Sequence, residues 1–481
     1  MPAEARSPLS PLDSVIWRLD ADPALRAAFA TVSFLDREPD RARLARRLSW
    51  AVADLPHFRD RVVPASIPGT SPRWAPDPDF DVARQVEWVD LADLEPVDGR
   101  DGDDPHREPA VLDLATRLAA SPFEADRPLW GFVVVTGLPG GRAALIHRMH
   151  HALTDGEGGI RLSERYLDIA PDDAHVSDEH VPDPFPGAPP PDGTPLEQFT
   201  LFAAEKVGDV ARGASSATRW TVEGLRDPRR FVDAGTASVD AARSLGRQVA
   251  VVDPARSTLW TRRSEGRQLL PASVPFEVLR DVATRTSTSI NDVFVTAVVR
   301  AAGSLHRAAG RPVVELRVAV PVSTRRRSEG QRGKGGNAFA PARALVPSGN
   351  GLTAGAHLRL VSARLSSLKS ERSNELLGSL SAGAELVPTP VLTHLVRRQT
   401  ATIDLVTSNL RAAPFPLYVA GAHIEATYVV GPLMGTPVKV TMMSYDGRAD
   451  LGVHVDSGAV EDPEGLRDRL VDVVSELHAA T

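Results

Sequence analysis

The stretch from Val181 to Pro195, VPDPFPGAPPPDGTP, constrains the architecture of this chain more than any other part of its sequence. Proline breaks a helix interior and removes donors from a strand ladder, so such a run is typical of an extended linker. About 180 of the 481 residues precede it and about 285 follow it, which suits two domains of ordinary size. The sequence predicts an N-terminal domain over 1–180, a linker over 181–195 and a C-terminal domain over 196–481.

Strand and helix patterns alternate on both sides of this stretch. Helical periodicity covers 41–55, 111–120, 159–169, 274–284, 291–309 (with Ser289 as its cap) and 463–478. Strand patterns cover 131–137, 143–151, 314–320, 438–445 and 450–456, and the β-branched residues between Leu417 and Leu433 indicate further strands. This interleaving predicts an α/β or mixed α+β fold.

Composition excludes several functional classes. The net charge is −7 and the sequence pI is about 6.0, so the chain lacks the basic footprint of a nucleic-acid-binding protein. It contains no cysteine, which excludes thiol nucleophiles, thiolate zinc sites, iron–sulfur ligation and disulfides. Arginines number 51 against four lysines, Lys206, Lys334, Lys369 and Lys439. We interpret this imbalance as a GC-rich coding bias and not as a site.

Targeting and membrane signals are absent from the sequence. The opening residues MPAEARSPLSPLDS carry no apolar core of a signal peptide. No window reaches the ~18 uninterrupted apolar residues of a spanning helix. We expect a cytoplasmic location, with peripheral contact to the inner membrane surface or to lipid droplets left open. The sequence has no basic amphipathic helix that would indicate such contact. It does not predict the oligomeric state.

The segment from Ala143 to Gly159, AALIHRMHHALTDGEGG, is the most informative for chemistry. If 145–151 is a strand, one face carries Leu145, His147, Met149 and His151, and the other carries Ile146, Arg148 and His150. The two adjacent histidines then cannot easily share one role. An imidazole at the strand's end, with a pKa near its ordinary value of about 6.5, would suit a general base. Asp155 could orient an imidazole, pair with an arginine or cap the next helix.

Simpler interpretations exist for the same residues. A single strand histidine such as His147 is usually a packing residue, and Asp155-Gly156 alone predicts only a turn. Metal binding is disfavoured, because adjacent histidines on a strand diverge and no third ligand lies close in sequence. We therefore expect no metal. Trp130 is best explained as a core aromatic residue.

The heptapeptide His150 to Gly156 has the HHxxxDG pattern of the CoA-dependent acyltransferase superfamily. The chain as a whole resembles the bacterial wax ester synthase/acyl-CoA:diacylglycerol acyltransferase family. The resemblance is carried, in the family's order, by Leu9-Ser10-Pro11-Leu12-Asp13, Phe80-Asp81, Arg127-Pro128-Leu129-Trp130, Ile290-Asn291-Asp292-Val293, Pro321-Val322-Ser323 with Arg325, Gly336-Asn337, Ser408-Asn409 and Gly431-Pro432.

This resemblance implies a two-domain fold like that of chloramphenicol acetyltransferase, with an interdomain tunnel. It implies that His151 is the general base for transfer of a fatty acyl group from acyl-CoA to diacylglycerol or a long-chain alcohol, without a cofactor beyond the CoA co-substrate. His150 and Asp155 would hold the geometry, while Gly156 keeps bulk from the substrate path. Substrate-binding roles follow for Asn291, Asp292, Ser408 and Asn409, although helix capping explains the first two equally well. The oxyanion donor cannot be assigned from sequence.

Some positions depart from the family pattern. Leu410 to Pro414 replace a Gly-Pro turn, Gly131 stands where the family has an acidic residue, and a Met-His element is missing from 21–33. These departures bear on acceptor specificity and catalytic activity more than on the fold. Two alternatives follow: an acyltransferase for a specialised hydroxyl or amine, like polyketide-associated or condensation enzymes, and a paralog that binds lipid or acyl-CoA without turnover.

Overall fold

The computed structural model describes residues 8–64, 71–95, 108–154, 156–172, 254–323, 339–370 and 387–480. The predicted linker, Asp155, Arg325 and Gly336-Asn337 lie outside these residues. The described helices are α1 (Pro11–Leu19), α2 (Arg41–Asp54), α3 (Pro109–Ala120), α4 (Gly156–Tyr166), α5 (Phe276–Thr286), α6 (Ile290–Ala308), α7 (Ala354–Ser370), α8 (Thr389–Thr400) and α9 (Pro463–Ala480).

The strands form two large sheets and one small hairpin. Their bounds are β1 (Ala28–Leu35), β2 (Asp60–Val63), β3 (Arg73–Pro76), β4 (Val86–Asp90), β5 (Trp130–Leu138), β6 (Arg142–His150), β7 (Leu167–Asp168), β8 (Arg267–Pro275), β9 (Glu315–Ser323), β10 (Phe339–Pro347), β11 (Leu405–Arg411), β12 (Tyr418–Val419), β13 (Ala422–Val430), β14 (Val438–Tyr445) and β15 (Arg448–Asp456). The first sheet has the order β4-β5-β6-β1-β13-β12-β7, and the second has the order β10-β9-β11-β14-β15-β8. The predicted elements are present with small shifts of their ends.

The first sheet is built around β1, which pairs antiparallel with β6 on one side and with β13 on the other. Alternation along these strands separates two faces. Val32, Ile146 and Tyr428 pack on the face covered by α3. Thr31, His147 and Val429, which are paired across the three strands, lie on the opposite face and line a cavity.

The second sheet divides its side chains in the same way. Val438, Val440 and Met442 of β14 belong to the largest apolar cluster, which also includes buried residues of α5, α6, α7 and α9. Lys439, Thr441 and Met443 lie on the other face and line the cavity. The cavity is therefore bounded by one face of each sheet.

Chain order and sheet membership do not coincide, because β12 and β13 come late in the sequence but complete the first sheet. The sheets meet closely where β13 passes β15. A Cβ placed on Gly452 would stand 2.6 Å from the backbone oxygen of Val429, so only glycine fits there. Within the described ranges, no helix is both long and apolar enough to cross a membrane.

Candidate active site

The cavity between the two sheets has a volume of about 610 Å³. Most of its lining is apolar, from residues on both sheets and on α4. Hydroxyl, amide and basic side chains interrupt this apolar surface, so the cavity can hold an apolar ligand and orient its polar groups. The apolar lining includes Phe29, Leu145, Met149, Ile160, Val429 and Met443.

His151 lies in this wall directly after the last residue of β6. Its backbone N–H donates to the carbonyl of Ala27 over 3.1 Å, which holds the turn against the start of β1. Its ring packs against Phe29, with 4.8 Å between centroids. Leu145, His147 and Met149 line the same cavity, as the alternation of β6 predicts.

The pKa of His151 is far from its ordinary value. Its pKa is lowered to about 3, chiefly by burial and to a smaller extent by the charges of Lys439 and His150. A hydrogen bond with the backbone of Thr154 acts in the opposite direction. The side chain keeps some accessible surface because it lines the cavity, but protein surrounds the rest of it. The expectation of an unperturbed imidazole is therefore wrong, because desolvation disfavours the charged ring. At neutral pH His151 is a neutral base.

His150 points to the other side of the strand and does not line the cavity. The N–H of Ala152 donates to its Nδ1 over 3.0 Å, so Nδ1 is an acceptor and Nε2 carries a proton. Nε2 lies 3.0 Å from Asp20 Oδ1, in a contact that is electrostatic because its angles do not make a hydrogen bond. The side chain is 1% exposed and fixes the turn that carries His151.

His147 is a packing residue that also borders the cavity. Its ring stacks on Phe132 with 4.3 Å between centroids, and its Nδ1 lies 3.3 Å from the hydroxyl of Tyr166. Burial lowers the pKa of His147 to about 3 and raises that of Tyr166. Its neighbours thus hold it neutral and oriented.

Lys439 is the functional candidate that sequence reasoning missed. It lines the cavity from β14, and its charge lowers the pKa of His151. A Cβ on Gly431 would stand 2.5 Å from its Cε and 2.6 Å from its Nζ, so the glycine of the predicted Gly431-Pro432 motif makes room for the lysine. Burial lowers the pKa of Lys439 to about 8. The sequence signal that could have found it is the rarity of lysine. In a chain with 51 arginines and four lysines, a lysine at a given position is not explained by positive charge alone.

Asn291 and Asp292 separate in the structure. Asn291 lines the cavity at the start of α6. Asp292 forms a capping box with Ser289, and its Oδ2 also accepts a hydrogen bond from Ser362 at 3.0 Å. Its carboxylate is therefore committed to the helix end, which is the capping explanation.

Ser408 and Asn409 both line the cavity from β11, and Ser408 is paired with Thr441 of β14. The hydroxyls of Thr407 and Thr441 are buried in the same wall and have no hydrogen-bond partner among the described residues. Leu410 to Ala412, the first part of the departure from the family turn, also border the cavity.

Two predicted residues need separate mention. Asp155 lies outside the described residues, and α4 begins at Gly156. Trp130 is 3% exposed, and its indole N–H donates to the carbonyl of Phe58, in agreement with a core role. Among the residues that the structure describes, no three His, Asp or Glu side chains are grouped as a metal site would require.

Two domain models of one protein family match this chain. Residues 9–294 match the wax ester synthase/diacylglycerol acyltransferase catalytic domain, and residues 336–478 match the C-terminal domain of the same family. A Mycobacterium tuberculosis H37Rv protein named as a diacylglycerol O-acyltransferase is 29% identical over 456 residues, covering 95% of this chain and 88% of its own. A second M. tuberculosis H37Rv diacylglycerol O-acyltransferase, tgs1, is 25% identical, covering 96% and 93%.

Solved structures show the same fold. The wax ester synthase/diacylglycerol acyltransferase of Marinobacter aquaeolei VT8 matches with a TM-score of 0.63 and 20% identity, over 98% of this chain and 99% of that one. A starter condensation domain of rhizomide synthetase, solved with C8-CoA and Leu-SNAC, matches with a TM-score of 0.53 and 14% identity, over 99% and 94%. The predicted fold of the chloramphenicol acetyltransferase type is confirmed. The chain belongs to the wax ester synthase/diacylglycerol acyltransferase family and is an acyltransferase.

Proposed function

We propose that this enzyme transfers a fatty acyl group from acyl-CoA to the hydroxyl of diacylglycerol or a long-chain alcohol, with His151 as general base. One observation carries the proposal: a neutral imidazole lies in the wall of a largely apolar cavity between two sheets. A base in that setting can contact a lipid hydroxyl while bulk water is excluded. Exclusion of water prevents hydrolysis of the thioester from competing with acyl transfer.

The reaction balances with His151 as the proton carrier. The acceptor O–H bond breaks, its proton moves to the imidazole, and the oxygen attacks the thioester carbonyl. The tetrahedral intermediate then collapses, the C–S bond breaks, and the CoA thiolate takes the proton back from His151. An ester and free CoA result. The absence of cysteine agrees with direct transfer that forms no acyl-thioenzyme.

The neighbours of His151 have positioning roles in this scheme. His150 fixes the turn through Ala152 and Asp20, and we assign Asp155 to the same task. Asn291, Ser408 and Asn409 line the cavity and can contact substrate polar groups. We assign Gly156, at the start of α4, to keeping side-chain bulk away from the substrate path.

The choice of substrates rests on the lining and on the relatives. Phe29, Leu145 and Met149 beside the base favour an apolar acceptor over a sugar or a charged metabolite. The mycobacterial relatives are named as diacylglycerol O-acyltransferases, and a structure of the same fold holds C8-CoA. Both substrates partition into lipid, so we also propose transient contact with a membrane or lipid-droplet surface.

The test uses purified full-length protein with palmitoyl-CoA and either dioleoylglycerol or hexadecanol. Release of CoA can be followed with a thiol reagent without background from the protein, because the chain has no cysteine. Thin-layer chromatography with labelled acyl-CoA identifies the ester. We expect H151A to abolish transfer, while H394A, which removes an exposed histidine of α8, leaves it unchanged. Full activity in H151A would refute the base assignment.

A panel of acceptors separates the proposed function from its alternatives. Amines, short specialised alcohols and acyl donors bound to a carrier protein are assayed beside the lipid acceptors. A preference for any of them would replace the lipid assignment. Binding of acyl-CoA with no CoA release under any acceptor would indicate a protein without turnover. Chelator should leave the rate unchanged if no metal takes part, and flotation with vesicles tests the lipid surface.

A further inference from the structure

We propose that Lys439 is a catalytic residue whose ammonium group stabilises the oxyanion of the tetrahedral intermediate. The inference rests on the proposed function, because an oxyanion forms only if acyl transfer takes place in this cavity. The attack moves the carbonyl π electrons onto oxygen, and the resulting negative charge needs a donor in the cavity wall.

The position of Lys439 meets this need. β14 presents it to the cavity from the second sheet, while His151 approaches from the end of β6 in the first sheet. Gly431, directly after β13, leaves the space that the end of the lysine side chain occupies. Base and cation therefore line one cavity, His151 from the first sheet and Lys439 from the second, and the proposal places the reacting carbonyl between them.

Charge balance explains why a lysine would face a general base. A cation near His151 opposes formation of imidazolium, and by itself this weakens the base. When the acceptor gives up its proton, however, the carbonyl oxygen gains a negative charge at the same time. An anion between two cations removes their repulsion, so Lys439 favours the intermediate over the resting state.

The other surroundings of Lys439 give no comparable reason for its presence. Its cross-strand partner is His454, whose pKa is lowered to about 3 chiefly by burial, and whose Nδ1 donates to the carbonyl of Gly431 at 2.7 Å. No carboxylate in the described part of the chain forms an ion pair with Lys439. A half-buried cation near two imidazoles, without a carboxylate partner, lowers the stability of the fold, which is typical of a functional residue.

The central experiment compares K439M and K439R in the assay for CoA release. We expect K439M to lower kcat by about 10²–10³-fold, as removal of an oxyanion donor does, with the KM for acyl-CoA little changed. K439R should recover part of the loss, because it restores the charge with a different shape. The Tm of K439M should equal or exceed that of the wild type, since the apolar side chain removes a partly desolvated charge that has no carboxylate partner.

The dependence of kcat on pH distinguishes a catalytic lysine from a structural one, because only a catalytic lysine would change kcat as it loses its proton. Lys439 must be protonated to act, and its pKa is lowered to about 8, so the kcat of the wild type should fall above that pH. His151 and His454 face it and are neutral throughout this range. In K439R the alkaline fall should move beyond pH 10, because guanidinium stays protonated.

Each outcome decides between this inference and others. If the wild type releases CoA but K439M keeps its kcat within threefold, the oxyanion role is refuted and the proposed function stands. A raised KM with unchanged kcat would assign Lys439 to binding a charged substrate group, which also refutes it. Loss of kcat in T441V instead of K439M would move the role to the hydroxyl of Thr441. If the wild type transfers no acyl group, the proposed function itself fails.

Discussion

Asp450 Oδ2 accepts a hydrogen bond from the backbone N–H of Thr427 over 2.9 Å, and this contact joins β15 of the second sheet to β13 of the first. The other oxygen, Oδ1, accepts from Ser273 at 2.7 Å and from Arg448 at 3.0 Å. The carboxylate is 0% exposed. This buried side chain thus helps to hold together the two sheets that enclose the cavity.

Removing this carboxylate should destabilise the protein. D450A leaves the N–H of Thr427 and the hydroxyl of Ser273 without their acceptor, at about 1–3 kcal/mol for each buried group. D450N keeps one acceptor oxygen and should lose less. Urea unfolding at pH 7 measures both variants, with the exposed D468A as control. A change below about 0.5 kcal/mol in D450A would contradict the role given to Asp450.

Gly452, where the two sheets lie close together, should not tolerate an added methyl group. In G452A the new Cβ would stand 2.6 Å from the oxygen of Val429, and backbone on both sides would have to move. Overpacking of this kind costs about 1–3 kcal/mol in the free energy of unfolding. G131A is the matched control, since its nearest atom would be 3.6 Å away. Equal stability of the two variants would show that the sheets can separate freely.

G431A should displace the ammonium of Lys439 without removing it. The added Cβ meets the flexible end of the lysine side chain at 2.5 Å and 2.6 Å, so the side chain moves and the backbone does not. We expect a Tm close to that of the wild type together with a lower kcat. The double variant G431A/K439M should be no slower than K439M. An additive loss would indicate that Gly431 affects the reaction by a separate route.

Acid should destabilise the fold through its buried histidines. Burial lowers the pKa of His147 and of His454 to about 3 in the folded state, against about 6.5 in the unfolded chain. The unfolded chain therefore binds protons more readily, so the contribution of these two histidines to the free energy of unfolding is constant above about pH 6.5 and falls as pH drops toward 3. Each histidine contributes about 1.4 kcal/mol per pH unit in that range. Denaturant unfolding at several pH values should show a shallower slope in H147Q, and an unchanged slope would contradict the assignment.

Local patterns predicted the parts of the site that depend on neighbours in sequence. Alternation along β6 places His151 on the cavity side with Leu145 and His150 behind it, and Ser289 begins α6 as its cap. The pKa of His151 could not be predicted this way, since it depends on atoms brought from β1 and β14. Lys439 could not be predicted for the same reason: a strand position two residues after Pro437 has no local feature that indicates His151 nearby.

The late position of β13 in the sequence bears on how the protein is synthesised. β1 and β6 leave the ribosome early, but the strand that covers the other edge of β1 ends only at Val430. At about 5–20 residues per second, the histidine-bearing strand waits for tens of seconds before its sheet can close. During that interval β1 presents an unpaired edge, which is the part of a nascent chain most prone to pair with another copy. Slower growth or chaperone supply during expression should therefore raise the yield of folded enzyme.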